Sequence, residues 1–288
     1  MSTLPSAPNG PAGRETRPAK NGVDKVTVPD ILSKKSRGER ITCLTAYDYP
    51  FARILDDAGV DIILVGDSVG MVVAGRPDTL SVTLEEMIYH TRAVASGARR
   101  ALVVADMPFL SYQVSVAEAK RNAGRLVQEG RAEAVKLEGG VNQRETIRAI
   151  VAMEIPVMGH IGLTPQSIHR MGGYKVQGKR PEEQERIVAD AVAVEEAGAF
   201  SLVLEGIPEA LARQITGLVR IPTIGIGAGV HCDGQVLVLH DALGLQDAFR
   251  PKFVKQYANL WAEATDAVKS FIQEVRGGTF PGDEHTFH

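Results

Sequence analysis

Four carboxylates stand where short apolar runs end: Asp67 in IILVGDSVG, Asp106 in LVVADMPF, Glu138 in AVKLEGG and Glu205 in SLVLEGIP. Each run is rich in Val, Ile or Leu and reads as a buried strand. In a parallel α/β barrel the C-terminal strand ends converge on one mouth, where active sites form. Carboxylates gathered there repel one another unless a cation sits among them. An oxygen-rich set of this kind suits Mg²⁺ or a similar hard divalent ion. A metal-centred site is therefore expected.

Lys136 and Glu138 lie two apart in VKLEGG, so on a strand both point to one side while Leu137 points to the other. Charged groups inside a barrel are costly unless paired or functional. The functional reading gives Lys136 an anionic substrate and Glu138 a supporting role at the metal; the alternative is a structural ion pair. Asp67 leads into Ser68 and Gly70, a tight turn whose amides and hydroxyl suit a carboxylate beside a metal. Asp106 precedes Met107-Pro108, and the proline ends the strand. Glu205 is two strands away from the others, across the mouth, and is the candidate general base; a supporting ligand or a helix N-terminal charge is the alternative. His160 ends the fifth strand candidate and reads as a hydrogen-bonding support more readily than as a catalyst. His231 and His240, nine residues apart, do not form a metal-spacing pair. Arg76, Lys175, Lys179 and Arg180 read as solvated, with an anionic cosubstrate tail as their alternative partner.

The elements that must position these residues alternate between strand and helix patterns. Strands are expected at 41–46, 61–65, 101–105, 133–137, 156–160, 200–204, 222–226 and 235–239. Helices are expected at 83–97 and 115–129, each opened by a capping box (Thr83 with Glu86, Ser115 with Glu118), and at 142–153, 181–197 and 208–216. A long helix is expected near 251–275, with Phe253, Tyr257, Leu260, Ala264, Val268, Phe271 and Val275 forming one stripe. Eight alternating units predict a (β/α)8 barrel. A doubly wound sheet is the rival, but ITCLTAYDYP after the first strand lacks its glycine-rich loop. GIGAG at 225–229 reads as close backbone packing at a strand end rather than an anion site. Residues 161–179 form a long stretch with no hydrophobic period, which suggests a lid with Gly172 and Gly173 as hinges.

The chain has 288 residues, 44% hydrophobic, with a net charge of −3 and a pI of about 6.2. Scattered basic residues give no stripe for nucleic acid or an anionic membrane. No apolar run approaches the ~20 residues of a membrane span. Cys43 and Cys232 fall in no CxxC pattern. Few cysteines, and an N-terminal stretch without an apolar signal core, point to the cytoplasm. Residues 1–24 read as a disordered tail, 25–276 as the catalytic barrel and 277–288 as a second flexible tail.

At TAYDYPFA (45–52), LVGDSVGMVVAG (64–75), VVADMPFLSY (103–112), AVKLEGG (134–140), GHIGLTPQ (159–166), LVLEGIP (202–208), IGIGAG (224–229) and RPKFVKQYA (250–258) the chain resembles the ketopantoate hydroxymethyltransferase family, from about Val26 to Val275. The resemblance implies a (β/α)8 barrel of the phosphoenolpyruvate/pyruvate type and a homo-oligomer, typically a decamer. It implies one Mg²⁺ per subunit on Asp67 and Asp106, with Glu138 in the metal's network. It implies a 2-oxo acid bound by Asp67, Ser68, Asp106 and Lys136, and Glu205 as proton acceptor. The implied reaction carries a one-carbon unit from 5,10-methylenetetrahydrofolate to 3-methyl-2-oxobutanoate, through a metal-stabilised enolate. Two rivals are a metal-dependent carbon–carbon lyase or mutase of the isocitrate lyase and phosphoenolpyruvate mutase type, and a non-catalytic barrel that only binds metal and oxo acid. The lyases use a cysteine in a mobile loop, and 161–179 has none. A pure binder has no need of a base at Glu205.

Overall fold

The computed structural model describes residues 24–246 and 251–288. Eight strands pair in chain order, all parallel, and the last closes on the first. They are β1 (Ile41–Thr45), β2 (Ile62–Val65), β3 (Leu102–Asp106), β4 (Ala134–Glu138), β5 (Val157–Gly162), β6 (Ser201–Glu205), β7 (Thr223–Ile226) and β8 (Gly234–Leu237). This is the expected (β/α)8 barrel. The helices are α1 (Val28–Arg37), α2 (Tyr49–Asp57), α3 (Val69–Val72), α4 (Leu84–Gly97), α5 (Val116–Gln128), α6 (Arg144–Val151), α7 (Ile168–Met171), α8 (Pro181–Glu196), α9 (Glu209–Leu218), α10 (Leu239–Leu243) and α11 (Leu260–Gly277). The tail expected at 1–24 lies, but for Asp24, outside the described residues.

Alternation along the strands divides the core in two. Ile63, Val65, Val103, Ala105, Val135 and Leu137 pack outward under the helices. Ile62, Leu64, Leu102, Val104, Ala134, Met158 and Val203 fill the lumen. That parity carries on to the strand ends. Asp106 follows Leu102 and Val104, Lys136 and Glu138 follow Ala134, His160 follows Met158, and Glu205 follows Val203. The lumen is aliphatic below and charged above. α1, absent from the sequence expectations because it precedes the first strand, lies across the lower end. Its Ile31, with Val26, joins the lumen cluster. Lys34 reaches Asp61 (3.1 Å) and Lys35 reaches Asp233 (2.9 Å), each just before a strand begins.

Local signals account for most helix starts. Thr83 accepts from the Glu86 amide, and Glu86 returns to the Thr83 amide, a full capping box. Ser115 caps α5 at the Glu118 amide (3.1 Å), without the reciprocal bond that was expected. α8 begins at Pro181 and stops before Gly198 (φ +95°). The helix expected near 251–275 starts only at Leu260. Residues 251–259 run irregularly, because the Tyr257 and Trp261 amides bond to Ala242 and Gly244 at the end of α10, and Asn259 caps α11 at Ala262. The Phe253 ring instead covers Gly227 of the GIGAG turn, where a Cβ would meet it at 2.9 Å. In the same turn Gly229 abuts Glu209, so close packing explains this glycine cluster. Among the described residues no helix is long and apolar enough to cross a membrane.

Candidate active site

Strand register assembles the site. β3 and β4 set Asp106 beside Lys136, β4 and β5 set Glu138 beside His160, and β5 and β6 set Gly162 beside Glu205. Gly162 lies at φ +93°, and a Cβ there would come within 2.3 Å of the Glu205 carbonyl. A larger residue would displace the strand end that carries Glu205.

Lys136 Nζ lies 2.7 Å from Asp106 Oδ1 and 3.4 Å from His160 Nδ1. The other Asp106 oxygen accepts from the Asp67 amide at 3.0 Å, which locks the β2 turn onto β3. His160 stands between two carboxylates, Glu138 Oε1 at 3.5 Å and Glu205 Oε2 at 3.2 Å. Asp67, Asp106, Lys136, Glu138 and His160 are all buried, whereas the Glu205 side chain keeps 15% exposure, enough for contact with a ligand in the mouth. Ser68 sits on the rim, its hydroxyl 2.8 Å from Tyr47 Oη. The structure thus gathers every residue singled out from the sequence for this site.

It also adds residues that were given no role. Gln166, after β5, donates through Nε2 to Asp67 Oδ2 (2.8 Å) and to the Met107 carbonyl (3.0 Å). Its own amide donates to Glu138 Oε2 at 3.0 Å. Tyr112 donates to Gln166 Oε1 at 2.7 Å and accepts from the Glu138 amide at 3.2 Å. Gln166 therefore links Asp67 to Glu138. A neutral glutamine in an aperiodic stretch gives no charge or spacing signal; its place in GHIGLTPQ was the only pointer. Tyr174, on the loop after α7, reaches over to Met71 Sδ (3.4 Å) in α3. Burial and the charges of Glu205 and Asp67 push its phenol up to about 12.

Four acids face two cations here. Burial, then the neighbouring Asp106 and Glu138, push the Asp67 carboxyl up to about 8. Burial presses the Lys136 ammonium down, but Asp106, Glu138 and Asp67 outweigh it and hold the lysine above its ordinary value. Burial and Lys136 likewise press His160 down, and the carboxylates of Glu138 and Glu205 reverse this, lifting it to about 9. Negative charge remains in excess. Glu138 Oε1 is buried without a hydrogen-bond partner. Among the described residues no three His, Cys, Asp or Glu side chains converge as a ready ligand set. The excess of buried carboxylate and the unpartnered Glu138 oxygen fit a hard divalent ion that takes one or two protein carboxylates and fills its shell with water and substrate oxygens. Asp67 and Asp106 are the adjacent pair that could hold it.

Barrel and site together define a (β/α)8 enzyme whose candidate site lies at the C-terminal strand ends. Solved barrels share the fold. Phosphonopyruvate hydrolase in complex with oxalate and Mg²⁺ matches with a TM-score of 0.58 over 91% of each chain at 14% identity. A 2,3-dimethylmalate lyase of the phosphoenolpyruvate mutase/isocitrate lyase superfamily matches with 0.56 over 90% of this chain and 91% of that one, at 17% identity. The more specific likeness is in sequence. A family model described as ketopantoate hydroxymethyltransferase matches residues 25–283. The 3-methyl-2-oxobutanoate hydroxymethyltransferase of Pelobacter propionicus is 64% identical over 264 residues, covering 92% of this chain and 98% of its own length. That of Geobacter sulfurreducens is 63% identical over 261 residues, covering 91% and 98%. The chain belongs to the ketopantoate hydroxymethyltransferase family and is a transferase.

Proposed function

We propose that the protein transfers a hydroxymethyl group from 5,10-methylenetetrahydrofolate to 3-methyl-2-oxobutanoate, giving 2-dehydropantoate for pantothenate synthesis. The observation that carries this reading is the placement of Glu205 beside His160, in the same buried cluster as Lys136, Asp106 and Asp67. Lys136 and Ser68 hold the oxo-acid carboxylate, and Gln166 fixes Asp67 and Glu138 in position. Mg²⁺ held by Asp67 and Asp106, with Glu138 supporting through its network, would supply Lewis acidity toward the substrate oxygens. Glu205 accepts the C3 proton, and cationic His160 at 3.2 Å stabilises the carboxylate before transfer. Water opens the folate methylene, its oxygen going to the one-carbon unit as formaldehyde and its two protons to the folate nitrogens. The electron pair of the broken C–H bond enters the enolate and forms the new carbon–carbon bond at that carbon, whose oxygen takes the proton from Glu205 as the product hydroxyl. Of the 161–179 stretch, Ile161 and Gly162 complete β5 and Gln166 is held in the site, so the lid narrows to 172–176. Gly172 and Gly173 are its hinges, Tyr174 reaches to Met71 and Gln177 anchors its far end. Water supplies the product hydroxyl when it opens the methylene, so the lid admits it at that step and excludes it from the enolate while the carbon–carbon bond forms.

The lyase reading needs an accessible thiol, and Cys43 and Cys232 are both buried with thiols pushed up by burial. The homo-oligomer, a decamer on the family pattern, is part of the proposal. It is supported by α11, which buries none of its residues while exposing Trp261, Val268 and Phe271. Cytoplasmic residence is part of it too, in keeping with two unpaired cysteines. NMR of the protein with both substrates, with and without Mg²⁺, tests the reaction. Metal-dependent 2-dehydropantoate is expected. Glu205→Gln should keep oxo-acid binding and lose turnover by about 10²-fold or more. Full turnover in that variant removes Glu205 as the base, and unimpaired turnover after deletion of Gly172 and Gly173 removes the lid.

A further inference from the structure

The segment after α7 has two sides. Tyr174 crosses the mouth to Met71, and the Gln177 amide donates to the carbonyl of Gly206, next to Glu205, at 2.8 Å. Gly178 then lies buried against Leu211 and Ile187, at φ +76°, which pins the segment to the barrel wall. Beside this seam is a cavity of about 390 Å³ whose lining includes Met171, Lys175, Val176, Lys179, Arg180 and Glu183, together with Gln177, whose amide bonds to Gly206.

Its charge is one-sided. Three cations line it against one acid. Glu183 is already engaged, by Arg180 at 2.8 Å and by the Lys179 amide at 3.1 Å. Lys175 and Lys179 have no carboxylate within ion-pair distance among the described residues. Arg76, by contrast, is committed to Glu86 and is not available to a ligand. The cavity thus offers two unpaired lysines, and its Gln177 amide bonds to Gly206, the residue after the proposed base.

We infer that this cavity holds the glutamyl carboxylates of the folate cosubstrate, with Lys175 and Lys179 as their partners. The inference rests on the proposed folate-dependent reaction and assigns the end of the folate remote from chemistry. In a reduced folate the transferable carbon lies on the pterin side of the aminobenzoyl ring and the carboxylates beyond it. A ligand with its methylene at Glu205 must therefore send a dianionic tail out of the mouth, and the Gln177 seam leads to the lysines. Met171 and Val176 offer the apolar wall that the ring would cross.

Three measurements on the full chain separate this from the parent reading. Tetrahydrofolate and its tail-less analogue, tetrahydropteroate, are titrated by calorimetry into the wild type, Lys175→Ala, Lys179→Ala and the double variant, at low and high salt. Deuterium exchange at C3 of the oxo acid, which needs no folate, is followed in parallel on the wild type, and circular dichroism monitors folding. The double variant is expected to bind tetrahydrofolate about tenfold more weakly, the size of two solvated charge pairs, with most of the salt dependence gone. Tetrahydropteroate, which lacks both glutamyl carboxylates and keeps only the ring carboxylate, should lose much less affinity in the variants than tetrahydrofolate does. Equal affinity of wild type and folded double variant for tetrahydrofolate overturns the inference, as does equal wild-type affinity for the two ligands. Exchange without lysine-dependent binding sinks the tail site alone; lysine-dependent binding without exchange sinks the proposed reaction and leaves the tail site standing.

Discussion

Lys136 is the residue on which the cluster's electrostatics turn. It is buried with its ammonium 2.7 Å from Asp106 Oδ1, an atom with no aligned hydrogen bond in the protein. Lys136→Met preserves much of the volume and removes the charge, so Asp106 is left buried and uncompensated. A loss of about 3–5 kcal/mol is expected in urea unfolding without metal. Millimolar Mg²⁺ should restore part of that loss if Asp67 and Asp106 take the ion. No change in the unfolding midpoint would mean that solvent reaches this pair. Lys136 and Glu138 were legible because two charges at strand spacing must share a face. Their neighbours Gln166 and Tyr112 were not, since a neutral amide and a phenol become site residues only through contacts that the chain's folding creates.

At the scale of elements, the strands and main helices were readable because each carries its own punctuation. α4 is the clearest case. Arg76, reaching back from the preceding loop, is the first influence holding the Glu86 carboxylate near 2, and the Thr83 amide and hydroxyl add to it. A folded-state value below the unfolded one adds stability that is present above about pH 4.5 and is lost as pH falls toward 2. Glu86→Ala should therefore cost about 1 kcal/mol at pH 7, and the gap to the wild type should close by about pH 2. A gap that persists in acid would assign the cost to helix propensity. α1 and the start of α11 were not legible for the opposite reason. α1 breaks the strand–helix alternation by preceding it, and the apolar residues at 253 and 257 keep a helical spacing that the carbonyls of α10 override.

For the molecule as a whole, α11 is the element without internal justification. It carries Trp261, Val268, Phe271, Ile272 and Val275 on a helix none of whose residues is buried by the described residues. Ending the chain at 259 should shift the sedimenting species to a smaller oligomer while leaving the barrel's far-UV spectrum largely intact; an unchanged sedimentation coefficient would rule α11 out as the assembly contact. The barrel itself has one open end, because α1 with Ile31 and Val26 closes the other. Whatever reacts deepest must arrive before the larger partner blocks the entrance, and must wait for that partner to go. The oxo acid is then first in and its product last out, with tetrahydrofolate leaving between them. Steady-state kinetics should accordingly report compulsory order, and excess folate should inhibit by occupying the doorway of an empty enzyme.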